Sequence, residues 1–310
     1  MMMQQNFIRG TMRTKLHLIF DFNHMFYKYK FRLEKGTLKT LSYGGKNISY
    51  IYYNLRDIES ARKKYIKQGY DVFVHICMDS KTKRKDEDAG YKANREKKLS
   101  EDNFSDIEIT ANLLKEAGYD VTKVEGYEAD DLIWTLCNML PDTDKAVIYT
   151  NDSDVTINVT DKISVELYNS VKGTQLVTKE NFNEFMGAKF KSYEFKYNEV
   201  MLYKALVGDV ADNIPGIYGF GERSFDKFMA SMRIYVEGFE HCFKQRNYVE
   251  AVIKKANNLG ILNTEQMLQA IHSLDLVEPR TVDCMELKYS TSDTESRTKA
   301  YSIYEMKSLY

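Results

Sequence analysis

The sequence predicts an α/β fold, a largely parallel central sheet flanked by helices. Three observations predict it: short apolar runs rich in β-branched and aromatic residues recur in the first half, helical stretches separate them, and several runs close on aspartate. Continuous apolar runs are what strands buried on both faces look like, and their alternation with helices implies the crossovers that make neighbouring strands parallel.

The elements follow in order. "LHLIFDFN" reads as a buried strand with Asp21 at its C-terminal end, and a helical stretch runs from about Gly45 to Gln68. "DVFVHICMD" repeats the strand pattern and closes on Asp79, whereas "SKTKRKDEDAGYKANREKK" mixes both charge signs and resembles no core element. A helix near Ser105 to Ala117 precedes a short strand, "YDVTKVEG", and a further helix opens at Glu128 within "EGYEADDLIWTL". "KAVIYTNDSD" is another apolar run ending in acids, Asp152 and Asp154. From about Thr178 the pattern turns helical, through "YNEVMLYKALVGD" and the Gly-rich "NIPGIYGFGERS" to roughly Leu274, with Pro141 and Pro215 marking turns. The final stretch is polar and Ser/Thr-rich, read as packed on the body or partly mobile. The expected organisation is a loose leader over 1–13, with Met12 as an alternative start, an α/β core over 14–190, a helical region over 191–275 and a tail over 276–310.

The 310 residues carry 44 Lys and Arg against 45 Asp and Glu, which excludes a uniformly basic nucleic-acid binder and leaves only local patches to be read. Cys77, Cys137, Cys242 and Cys284 lack CxxC spacing, so neither a zinc site nor a disulfide framework is suggested and a reducing cytoplasm fits best. No segment reaches signal-peptide or membrane-spanning character, so no membrane association is expected. His17, His24, His75, His241 and His272 show no paired metal spacing and read as structural or surface residues; Trp134 reads as core.

In open parallel sheets ligands bind outside the carboxyl ends of the strands, where Asp21, Asp79, Asp152 and Asp154 are expected. Glu128, Asp130 and Asp131 add three carboxylates at one helix start, where a single one would complement the dipole. Two full charges about 5 Å apart repel by roughly 3 kcal/mol at an effective dielectric near 20, so such a rim requires cations. An all-oxygen set poor in His and Cys suits Mg²⁺ or Mn²⁺, and two such ions about 4 Å apart clamp a phosphodiester.

The motifs "GYEADDLIWTL", "YTNDSD" and "ALVGDVADNIPGIYGFGERS" resemble, in order and spacing, those of the 5′ nuclease family of flap endonucleases and 5′-3′ exonucleases, most nearly the free-standing phage type. The resemblance covers about Leu16 to Met229. It implies a PIN-like nuclease core with a helical arch at about 80–100 and a helix-three-turn-helix that grips duplex DNA with a bound K⁺. It implies one metal region around Asp21, Asp79, Glu128, Asp130 and Asp131, and a second completed by Asp152, Asp154, Asp209 and Asp212. Tyr91, Lys92 and Arg95 would lie within one helical turn of the arch, the two cations neutralising the scissile phosphate and Tyr91 stacking on a base. Lys83, Arg84 and Lys85 would form a phosphate funnel, and Gly216, Gly219, Gly221, Arg223 and Ser224 would contact the DNA backbone. The first motif, "IFDFNHMFYKYK", is looser, and Asn151-Asp152 stands where the family usually has Gly-Asp; Asn is the next most tolerant residue should φ be positive there. The implied activity is a two-metal phosphodiesterase, a monomer acting on 5′ flaps or 5′ ends of DNA in replication or repair. Primer removal from RNA–DNA hybrids and noncatalytic, structure-specific DNA binding are the alternatives.

Overall fold

The computed structural model describes residues 13–94, 101–169, 173–189, 199–238 and 245–309. The expected leader up to residue 12, Arg95 and the rest of the stretch to residue 100 over which an arch is expected, His241 and Cys242 lie outside them.

The chain opens on β1 (Lys15–Asp21) and α1 (Phe22–Glu34), then a small antiparallel ladder, β2 (Ser42–Tyr43) with β3 (Lys46–Asn47), then α2 (Ser49–Lys67) and β4 (Asp71–Met78). One short helical turn, α3 (Arg84–Glu87), precedes α4 (Glu101–Glu116), β5 (Asp120–Lys123), α5 (Ala129–Met139) and β6 (Lys145–Thr150). β7 (Ile163–Asn169) and β8 (Gly173–Val177) form a hairpin, followed by α6 (Phe182–Lys189), α7 (Val200–Val207), α8 (Glu222–Val236), α9 (Arg246–Asn258), α10 (Thr264–Val277) and α11 (Thr294–Ser302).

The main sheet has the order β5-β4-β1-β6-β7-β8, parallel except for the β8 edge strand. Alternating residues of β1 feed two cores. Leu16, Leu18 and Phe20 face α1, α2, α4 and α11, while Ile19 faces a larger cluster built from α5, α7, α8, α9 and α10. The result is three layers, with Trp134 partly buried against the larger cluster. Phe22, Phe26 and Tyr29 are buried on α1, a helix the sequence pattern did not announce because its aromatic and basic residues interleave.

The stretch after residue 276 packs on both sides of the sheet: Val282 and Met285 join the larger cluster, Ala300 and Tyr301 the other. The Tyr301 hydroxyl donates to buried Glu59 at 2.9 Å, and Tyr119 donates to the same oxygen at 2.5 Å. No described helix is long and apolar enough to cross a membrane.

Candidate metal centre

β4, β1 and β6 are adjacent and parallel, so their C-terminal ends lie side by side, about 5 Å apart per strand. That places Asp21 at the end of β1, Asp79 one residue beyond β4, and Asp152 and Asp154 just beyond β6 on one edge. Asp21 accepts from the Thr150 hydroxyl at 2.7 Å, and Asp79 accepts from the Ala129 amide at 2.8 Å, tying that edge to the first turn of α5. Asp152 accepts from the Asp154 amide at 2.9 Å. Asn151 does not adopt a positive φ; its side-chain amide donates to the His24 carbonyl at 2.8 Å, so Asn replaces Gly there without strain.

The other acids arrive from the loop between α7 and α8. Asp209 and Ile214 exchange backbone hydrogen bonds of 2.9 and 2.8 Å, closing a tight loop that presents Asp209 and Asp212 beside Asp154. Carboxylate oxygens of Asp154, Asp209 and Asp212 all lie within 4.8 Å of one another. The donor set is all oxygen, which fits Mg²⁺ or Mn²⁺.

Three cations partly balance this charge. Lys204, on α7, pairs with Asp154 and, at 2.6 Å, with Asp209. Lys92 donates to Glu128 at 2.6 Å and stands 3.9 Å from Asp212. Burial works against both ammonium groups, but Glu128 around Lys92, and Asp154 with Asp209 around Lys204, outweigh it and push each pKa above the lysine range. Burial, reinforced by neighbouring carboxylates, raises Asp79, Asp130 and Asp152 above the usual carboxyl value. Glu128 goes the other way: burial raises it, but Lys92 and Arg84 together pull it down. Lys204 was not singled out from the sequence, where a lysine on an apolar helix reads as a surface residue; its place five residues before Asp209 was the available signal.

The third cation corrects two expectations. Arg84 is no surface funnel residue; it is 1% exposed, with Nη1 donating to Asp131 at 3.0 Å and Glu128 at 3.1 Å, and Nη2 to Asp131 at 2.7 Å. Asp131, expected beside a metal, is wholly buried and also accepts from the amides of Glu128 at 3.0 Å and Arg280 at 2.7 Å. Lys83 and Lys85, either side of Arg84 in the chain, remain exposed. Tyr91, expected to stack on a base, is 3% exposed and donates its hydroxyl to Glu128 at 2.9 Å. Nor are residues 91–94 helical: they form turns, and Lys92 has φ +52°, so the expected shared helical face is absent there. Residues 90–94 dock on the α7–α8 loop, because Lys92 N donates to Asp212 O, Asn213 Nδ2 to Gly90 O and Asn94 Nδ2 to Val210 O, at 2.9, 2.7 and 2.9 Å.

The glycines of that loop divide. Gly216 is buried with φ +63°, its amide donates to Ser273 Oγ, and an added Cβ would lie 2.4 Å from Gly208 N, so it serves close backbone packing and is closed to DNA. Gly219, at φ +73°, and Gly221, the N-cap of α8, are exposed with open space around them. Arg223 is exposed and Ser224 partly exposed in the first turn of α8. A separate cavity of about 250 Å³ lies on the α1–α2 side of the sheet, where Lys28 pairs with Asp57 at 2.6 Å and Lys64 with Glu166 at 3.8 Å.

The family model for the 5′-3′ exonuclease N-terminal, resolvase-like domain matches residues 16–187, more than half of the chain. The chain belongs to the 5′-3′ exonuclease family. The DNA polymerase I of Caldicellulosiruptor bescii is 32% identical over 254 residues, covering 79% of this chain and 28% of that protein. The 5′-3′ exonuclease of Bacillus subtilis is 35% identical over 159 residues, 50% of this chain and 51% of that one. The chain thus spans about a quarter of the first relative and half of the second. Among solved structures, the T5 D15 protein co-crystallised with metal ions has a TM-score of 0.56 at 15% identity, covering 95% of this chain and 97% of that one. T5 5′-exonuclease with bound zinc has a TM-score of 0.53 at 15% identity over 95% and 97%. These likenesses show the fold.

Proposed function

We propose that this protein is a divalent-metal-dependent, structure-specific 5′ nuclease that hydrolyses phosphodiesters at 5′ flaps and 5′ ends of DNA. The observation that supports the reading is the group Asp154, Asp209 and Asp212, whose carboxylate oxygens lie within 4.8 Å of one another beside the sheet edge where adjacent β4, β1 and β6 end on or just before Asp79, Asp21 and Asp152. Asp154, Asp209 and Asp212 would hold one ion, and Asp21, Asp79, Asp130 and Asp152 the other, with Glu128 at its edge. Mg²⁺ or Mn²⁺ bound there would polarise the phosphate and supply hydroxide near neutral pH.

The chain's own residues do the rest. Lys92 and Lys204 hold positive charge at the rim and attract the phosphate. The α7–α8 loop, with exposed Gly219 and the first turn of α8, would grip duplex backbone and hold K⁺; Arg223 would contact phosphate there, as Lys83 and Lys85 would nearer the rim. Because residues 90–94 are hydrogen-bonded to that loop, the duplex grip and the acidic rim are mechanically joined. Incubating the purified protein with a 5′-labelled flap duplex and Mg²⁺ or Mn²⁺ should release the flap; folded protein that binds the duplex but leaves it intact would overturn the reading. Matched RNA–DNA and DNA–DNA 5′ ends compared under the same conditions would rank primer removal against flap removal.

A further inference from the structure

The donors around Asp131 saturate it. A carboxylate offers about four lone-pair sites, and Asp131 fills four: Oδ1 accepts from Arg84 Nη2 and Arg280 N, Oδ2 from Arg84 Nη1 and Glu128 N, all between 2.7 and 3.0 Å. None remains for an ion. Arg84 in turn spreads its guanidinium over three groups. Beyond Asp131 it reaches Glu128, at the rim, and the Glu278 carbonyl at 2.6 Å, in the chain that leaves α10. That chain is stapled further by Val282 N donating to Thr135 Oγ1 at 3.0 Å and by Arg280 pairing with Glu87.

We propose that Arg84 and Asp131 are positioning residues: their buried bidentate pair fixes the Glu128 carboxylate and the segment 278–282 behind the metal rim, and Asp131 is not a ligand. The chemistry supports a positioning role over a phosphate contact, because a guanidinium with both Nη groups engaged and 1% exposure has no face for DNA. Partners one step removed from a metal set ligand orientation, and their loss commonly lowers metal affinity about 10- to 100-fold. The segment after α10 thereby becomes part of the site's support, which explains why a polar stretch outside the nuclease core is packed against α5.

The inference rests on the rim binding divalent ions, and the test separates the two. Mn²⁺ binding is followed by electron paramagnetic resonance for the wild type, Arg84→Met, Asp131→Asn, Arg84→Lys and the double variant Arg84→Met/Asp131→Asn, with melting temperature and the kcat and KM for flap cleavage alongside. A wild type that binds no Mn²⁺ would sink the functional reading itself. Given wild-type binding, Arg84→Met should weaken Mn²⁺ about 10- to 100-fold, Arg84→Lys should not rescue it, and kcat should fall while KM for DNA stays. Adding Asp131→Asn to Arg84→Met should change affinity by less than about threefold, since residues acting as one unit are not additive. A further tenfold loss would mark Asp131 as a ligand and overturn the proposal, as would an Arg84→Met protein that binds Mn²⁺ like the wild type. Should Arg84→Met fail to fold because it strands a buried carboxylate, the double variant removes both charges and is compared with the wild type directly. A 10- to 100-fold loss then supports the proposal, and either unchanged or abolished binding overturns it.

Discussion

Replacing Lys204 by methionine should destabilise the protein without metal far more than with it. The ammonium sits between Asp154 and Asp209, and oxygens of these two and Asp212 lie within 4.8 Å of one another. Methionine fills most of the space and removes the charge, leaving carboxylates whose repulsion is roughly 3 kcal/mol per pair at an effective dielectric near 20. Breaking a buried pair by removing one partner costs a similar amount, about 3–5 kcal/mol. Taking about 3 kcal/mol and an unfolding entropy near 2 cal/mol/K per residue, a 310-residue chain should melt roughly 5 °C lower. A divalent ion would supply the missing counter-charge, so under saturating Mg²⁺ or Mn²⁺ the deficit should shrink to about 1–2 °C. Thermal unfolding followed by circular dichroism, with chelator and with metal, measures both. Equal deficits in the two conditions would refute the reasoning, since they would mean that Lys204 acts through packing and that no ion takes its place.

Asp152→Asn should reduce flap cleavage by three or more orders of magnitude while changing duplex-binding affinity less than about threefold, because it weakens ion coordination and leaves the phosphate contacts in place; gel-shift and cleavage assays on one preparation check this. Gly216→Ala should cost about 3 kcal/mol or more, since its Cβ would meet Gly208 N at 2.4 Å and Val207 C at 2.5 Å, whereas Gly219→Ala, in open space, should cost only the roughly 1–2 kcal/mol of a left-handed backbone; chemical denaturation compares them. The third concerns pH. His17 bonds Asp144 at 3.2 Å and His75 at 2.9 Å, and His75 bonds Asp120 at 3.0 Å, all buried in the sheet. Burial, with His75 alongside, lowers His17 to about 4 from the ordinary 6.5. Below pH 6.5 the unfolded chain therefore binds a proton that the folded one refuses, so this site favours folding fully above 6.5 and loses up to about 3 kcal/mol by pH 4. A His17→Asn variant, measured by urea unfolding between those limits, should show a shallower loss than the wild type.

The strand ends that build the rim were legible because parallel strands buried on both faces carry uninterrupted apolar runs, and the apolar parts of "LHLIFD", "DVFVHICMD" and "KAVIYTNDSD" stop within a residue of the ends of β1, β4 and β6. The β7–β8 hairpin was not, since its edge strand is mostly exposed and lacks such a run. A charge pattern tells how many cations a segment holds and nothing of where each points: Arg84 and Lys85 are neighbours in "KTKRK", yet one is buried against Asp131 and the other faces water. The three acids of "EGYEADD" were visible as a set, but their separate tasks were not. Asp131's partners, Arg84 and Arg280, lie 47 and 149 residues away, and only folding brings them within hydrogen-bond reach. Likewise His17 and His75 are 58 residues apart and meet only because β1 pairs with β4 in register.

Crystals soaked in Mn²⁺ and measured at its absorption edge test the central claim most directly. The account predicts two anomalous peaks, one against Asp154, Asp209 and Asp212, the other among Asp21, Asp79, Asp130 and Asp152, with Lys204 swung away from its carboxylates. Manganese bound elsewhere on the surface, or none at this rim while both lysines keep their carboxylate contacts, would contradict it.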